Sequence, residues 1–371
     1  MLIEGQIKYK MSNINNGKPG LFGITCSNRD FSQAQAWGKN QFNSSFPASL
    51  ASFLAHKGFE NIYLYLDKDM NVCHGKISTE SLFGISPQSG ELFFSFEAQY
   101  TPYQRLVIGT LPRVDLVTQS RSDGLCLRPI EIKLTALPDN STCSLSDNLY
   151  GCEIVVRPDT IVYLACSIAE KFINERDKLD KLIGNKFDAI YDFTDADVII
   201  PYINEMVLAV DRIILAKMDH QSPLLMQPIW KTEGKSPRLA KQCLDVFVWS
   251  NFAFTRLFIG VAKIELLQRS IKITRQIRSL IWLFKMLYDF SKTGQIDHRK
   301  TIDELSYNTK NDKAFSVNGK VTHKYMNCVE LENPRIPSND IRKIILGGGQ
   351  DLLSPERRFD AIICNSSDLF G

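Results

Sequence analysis

The 371-residue sequence predicts a mixed α/β (α+β) protein with a central mixed sheet flanked by helices. Three observations carry this. Short β-rich runs crowd the stretch from residue 61 to 135, a helical apolar pattern opens at Pro158, and apolar residues recur mainly at helical spacing after residue 200. The change of texture divides the chain into residues 1–200, the sheet-bearing core with its N-terminal extension, and residues 201–371, a largely α-helical elaboration.

The first forty-odd residues are polar and rich in turn formers. A short helix is expected from near Pro47, stopped by Gly58. Strands are expected at 62–66, 72–77, 92–96, 106–108, 114–118 and 130–134, forming a mostly antiparallel sheet. A polar loop at 138–147 precedes a helix from near Pro158, whose Ile161, Leu164, Ala165, Ile168 and Phe172 share one face; proline suits the first helical turn. Then come a strand at 187–193 and helices at 203–218, 238–267 and 273–291. The polar stretch 292–324 reads as a linker or loop, and 359–364 as a late strand.

Composition excludes several classes of function. With 44 Lys and Arg against 41 Asp and Glu, no overall field attracts nucleic acid, so any DNA surface must be a local patch. The nine cysteines form no CxxC pair and have no histidine at zinc-finger spacing, which fits free thiols in a reducing cytoplasm; Cys143, Cys152 and Cys166 are the closest group. The N-terminus has no apolar signal segment, and the most apolar stretch, 246–267, carries Arg256, Lys263 and Glu265. It is expected to be a buried helix, with no membrane partner.

The chemistry is concentrated in two neighbouring strands. In the run from Pro129 to Thr135, Ile130, Ile132 and Leu134 alternate with Glu131, Lys133 and Thr135, so a period of two puts Glu131 and Lys133 on one face. Upstream, Asp115 is the one acid in an apolar strand. Arg121-Ser-Asp-Gly124 between them signals a hairpin, and its register decides whether the acids meet. A three-residue loop, Ser122-Asp-Gly124 with Gly124 left-handed, makes paired residue numbers total 246 and sets Asp115 opposite Glu131. A two-residue Asp-Gly loop makes the total 247 and sends Asp115 to the other face unless a bulge intervenes, for which Pro129 offers a place. Two facing carboxylates need a cation between them, and hard oxygen donors suit Mg2+. The backbone carbonyl of Ile132 offers a further ligand, and Glu97 an additional acid. A surface ion pair between strands would give the same pattern. A second Glu-x-Lys, Glu233-Gly-Lys235, lies among Gly and Pro and reads as a loop.

Asp115, fifteen intervening residues and Glu131-Ile-Lys133, in a hairpin followed by a helix, resemble the PD-(D/E)XK nuclease superfamily. The wider chain, in Leu111-Pro-Arg-Val-Asp115, Pro129-Ile-Glu-Ile-Lys-Leu-Thr135, Arg157-Pro-Asp-Thr160 and Leu353-Ser-Pro-Glu-Arg-Arg-Phe-Asp360, is similar to the HindVP family of type II restriction endonucleases. The resemblance implies a restriction-endonuclease-like core and a homodimer that cuts both strands of a short site in double-stranded DNA. It makes Asp115 and Glu131 metal ligands, Lys133 the residue near the attacking water, and the products 5′-phosphate ends. One departure stands: Pro112 precedes Asp115 by three positions, so the superfamily's Pro-Asp dipeptide is absent.

Candidate DNA contacts are Asn28, Arg29, Lys39 and Asn40 near the N-terminus, Lys235, Ser236 and Arg238 at a capped helix start, and Arg335, Arg342 and Lys343 near the C-terminus. Solvated loops and helix capping account for the same residues. A repair or mobile-element nuclease of the same superfamily is one alternative, distinguished by non-discrete products. A non-catalytic DNA-binding or assembly protein is another, in which replacing Lys133 leaves function intact.

Overall fold

A computed structural model describes residues 24, 26–28, 39–132, 153–232, 239–267, 273–307 and 315–318. In chain order the elements are α1 (Lys39–His56), β1 (Asn61–Leu66), β2 (Val72–Ile77), α2 (Thr79–Phe83), β3 (Leu92–Ala98), β4 (Val114–Ser120), β5 (Cys126–Ile132), β6 (Glu153–Val156), α3 (Pro158–Glu170), α4 (Arg176–Ile183), α5 (Ala196–Ile199), α6 (Ile203–Lys217), β7 (Pro223–Thr232), β8 (Leu239–Ser250), α7 (Asn251–Leu267), α8 (Arg275–Thr293), α9 (His298–Glu304) and β9 (Phe315–Asn318).

Seven strands form one mixed sheet in the order β2-β1-β8-β7-β5-β4-β3, and β6 pairs with β9 apart from it. The pairs β1/β8 and β5/β7 are parallel and the other pairs antiparallel. Alternation along β4 and β5 divides their side chains between two layers. On one face Thr118 donates its hydroxyl to the Phe83 carbonyl of α2 at 2.7 Å, and Leu116 and Ile130 are fully buried there. The α1 helix crosses this same layer. On the other face Val117 and Leu225 join the large core built on α3, α6, α7 and α8, where Leu164, Ile213, Phe258 and Phe284 have no exposure. Each such side chain contributes about 1.5–3 kcal/mol through burial, so the sheet is clamped between helical layers and its strand ends are rigid supports.

Several elements depart from the sequence reading. The first helix begins at Lys39, with Pro47 inside it. Residues 106–108 are not a strand: a 3-10 turn spans Thr101–Leu106, and Val107 makes one bridge to Ile296. At 187–193 the chain makes another 3-10 turn, Asn185–Ala189, because Phe187 is drawn into the core at 4.4 Å between ring centroids from Phe284. The expected helix at 238–267 is a strand to Ser250 and a helix after it. The stretch read as linker holds α9 and β9. Two strands from beyond residue 200, β7 and β8, lie between β1 and β5 in the sheet. The expected strand at 359–364 lies outside the described residues. No helix among the described residues is long and apolar enough to cross a membrane.

Candidate active site

The β4–β5 hairpin closes on Ser120 and Leu125. Ser120 N–H donates to the Leu125 carbonyl, and Gly124 N–H to the Ser120 carbonyl, each at 2.9 Å. Gly124 takes φ +71°, which glycine adopts without steric cost. The loop therefore has four residues, one more than expected, and paired numbers total 245 at Gln119 and Cys126. One step on, Thr118 pairs with Arg128, which leaves Leu127 as a bulge and raises the total to 246. Val117 with Pro129 and Leu116 with Ile130, the last pairs of the ladder, keep that register, and continuing it by one residue would set Asp115 across from Glu131. The Ile132 N–H donates to Asp115 Oδ2 at 2.8 Å, tying the carboxylate to the neighbouring strand.

Glu131 is 8% exposed and faces α3. There Thr160, buried in the first turn of α3, donates its hydroxyl to Glu131 Oε1 at 3.3 Å. Arg157 is extended, and Pro158 then starts the helix. One turn beyond Thr160, the Tyr163 hydroxyl donates to the Pro112 carbonyl at 3.0 Å and accepts from Tyr100 N–H at 3.1 Å. Burial pushes the Tyr163 phenol above its ordinary range, and the nearby charges of Glu131 and Asp159 push the same way. The start of α3 thus touches β5 through Thr160 and the approach to β4 through Tyr163.

On the other side of β4, the pairs Phe96 with Leu116 and Ala98 with Val114 put Glu97 in the same cross-strand row as Asp115. Glu97 is exposed and has φ +48°, uncommon for a residue with a side chain. Asn28 grips Phe96 just before it: its Oδ1 accepts from Phe96 N–H at 2.9 Å and its Nδ2 donates to the Phe96 carbonyl at 3.1 Å. Among the described residues, no group of three or more His, Cys, Asp or Glu stands ready to hold a metal ion. The Asp115 and Glu131 carboxylates and the Ile132 carbonyl offer oxygen donors only, and that chemistry fits a hard divalent cation.

The residues at 37–370 match the HindVP restriction endonuclease family. The chain belongs to that family. It is 47% identical over 353 residues to "Type II restriction enzyme HgiDI" of Herpetosiphon aurantiacus, covering 95% of this chain and 97% of the relative. It is 44% identical over 355 residues to "Probable type II restriction enzyme HindVP" of Haemophilus influenzae, covering 96% of each. No solved structure matches the chain.

In this HindVP-family chain the structure brings Asp115, Glu131 and Ile132 together. Lys133 lies outside the described residues, as do Arg29, Lys235, Ser236, Arg238, Arg335, Arg342 and Lys343. Lys39 and Asn40 open α1, and only their backbone is described. The side-chain amide of Asn28, read from sequence as a base-contact candidate, binds the β3 backbone instead. Cys166 is buried within α3, and burial pushes its thiol well above the ordinary range. Sequence reasoning missed Thr160 as a partner of Glu131. Its signal is the Arg157-Pro-Asp-Thr160 run, where the helix-starting proline brings a threonine into the first turn.

Proposed function

We propose that this restriction endonuclease cuts double-stranded DNA at a specific site with Mg2+ held by Asp115, Glu131 and the Ile132 carbonyl, as a homodimeric member of the PD-(D/E)XK superfamily. The observation that carries the reading is the hydrogen bond from Ile132 N–H to Asp115 Oδ2 at 2.8 Å, supported by the bulge-corrected register, which if continued one residue brings Asp115 to Glu131. Bound there, the cation supplies Lewis-acid polarisation of the scissile phosphate and activation of the attacking water. The protein's own groups do the rest. Asp115 and Glu131 present their carboxylates from adjacent strands, and rigid strands hold such groups more closely than loops do. Lys133, two residues on from Glu131, orients the water or offsets negative charge developing on the phosphate. Water adds to phosphorus as the 3′ oxygen departs and takes up a proton, giving 5′-phosphate and 3′-hydroxyl ends. Glu97, in the same row as Asp115, would join the metal shell only by turning its exposed side chain toward the pair, since the three acids make no ready group among the described residues.

Plasmid DNA incubated with the protein tests this. Discrete fragments are expected with Mg2+ and none with chelator. Asp115→Asn and Lys133→Ala are expected to abolish cutting with unchanged melting temperatures, and sedimentation should give the mass of a dimer. Full cutting by both variants, or intact plasmid with every divalent metal tried, overturns the reading; a smear in place of bands removes the sequence specificity.

A further inference from the structure

We infer that Thr160 is a positioning residue: its hydroxyl, delivered by the first turn of α3, fixes the Glu131 carboxylate in the orientation that receives the divalent cation. The inference rests on the proposed metal site. Thr160 is 2% exposed and Glu131 8%, so water has little access to replace the contact, and a buried carboxylate that loses a donor is left in a poorly solvating environment. The 3.3 Å separation places the hydroxyl on Oε1, one of the two atoms able to bind metal. Threonine suits the task because its hydroxyl sits on Cβ and its χ1 is limited to two preferred rotamers inside a helix, so few side-chain states compete with the one that meets Glu131.

That backbone is itself anchored. Pro158 fixes the first helical residue, Thr160 N–H donates to the Arg157 carbonyl at 3.1 Å, and Tyr163 one turn later holds both Pro112 and Tyr100. Glu131 is therefore held from two elements, its own strand and α3. A partner that orients a ligand without touching the metal sets affinity through the rigidity of that ligand.

The test uses the full-length chain and Mn2+ alone, with free ion counted by electron paramagnetic resonance, in the wild type and in Glu131→Gln, Thr160→Val and Thr160→Ser. Glu131→Gln should abolish binding. Thr160→Val, equal in shape but without the hydroxyl, should weaken binding about tenfold, the low end for loss of such a partner. Thr160→Ser should restore it. In DNA cleavage, Thr160→Val should lower kcat at limiting Mg2+, recover at high Mg2+, and leave KM for DNA unchanged.

Wild-type Mn2+ affinity in Glu131→Gln removes the metal site and the inference with it. Loss of binding in Glu131→Gln but wild-type affinity in Thr160→Val overturns the positioning role alone. Loss of the fold in Thr160→Val, seen as a lowered melting temperature without metal, also overturns it, because the hydroxyl would then serve the core. So does a defect that serine fails to repair.

Discussion

Glu97 shows how a single residue can be held where its own chemistry disfavours it. A left-handed conformation costs a residue with a side chain about 1–2 kcal/mol, yet Glu97 stands at φ +48° inside β3, directly after the residue that Asn28 grips on both backbone groups. Glycine normally weakens a strand by about 0.5–1 kcal/mol, but here it relieves a cost of similar size. Glu97→Gly is therefore expected to melt no lower than wild type. Glu97→Gln keeps the strain and removes the charge, and with Glu97 in the metal shell it should need more Mg2+ for half-maximal cutting. Differential scanning calorimetry and Mg2+ titrations of cleavage check the two halves. A melting temperature several degrees lower for the glycine variant contradicts the strain argument, and unchanged Mg2+ dependence for the glutamine variant removes Glu97 from the shell.

The β4–β5 hairpin shows what element-level patterns reveal in a sequence and what they hide. Alternation alone put Glu131 opposite in face to Ile130 and Ile132, and both isoleucines are buried as that pattern requires. The register total of 246 was also reachable, since Gly124 signalled a left-handed turn. The route to it was hidden: a four-residue loop and a bulge at Leu127 arrive at the same total as the simpler three-residue loop. Bulges depend on what packs against the strand, and here that is Gly84, the left-handed C-cap of α2 with φ +87°. A β-carbon on Gly84 would stand 2.9 Å from Leu127 Cβ, whereas one on Gly124 would meet nothing within 4 Å. Gly124→Ala should thus cost about 1 kcal/mol, the backbone penalty alone. Gly84→Ala should cost more, because the clash adds to a similar penalty, and it should also slow cutting by folded protein as the bulge shifts. Equal melting temperatures and equal cleavage rates for the two variants would show that Gly84 does not support the register.

At the scale of the whole molecule the sequence reading failed where one element passes directly into the next. Leu239, Cys243, Leu244 and Val246 recur at helical spacing and lead straight into α7, so β8 read as the start of that helix; Val246-Phe247-Val248-Trp249, rich in β-branched and aromatic residues, was the opposing signal. Pro223 and Pro228 hid β7 in the same way, since proline donates no ladder hydrogen bond. These two strands join β1 to β5, so without them the sheet falls into a β1–β2 pair and a β3–β4–β5 group with no strand between them. Leu225 pairs with both Glu131 and Trp249, which places the residues beyond 200 directly against the site. The chain should therefore unfold as one unit. In a denaturant titration, fluorescence dominated by its four tryptophans and far-ultraviolet circular dichroism are expected to give coincident transitions. A fragment of residues 1–200 is expected to show no cooperative transition and no cutting. Two separated transitions in the whole chain, or a cooperative melt in the fragment, would support a boundary at residue 200 and require the carboxylate pair to stand without β7 behind it.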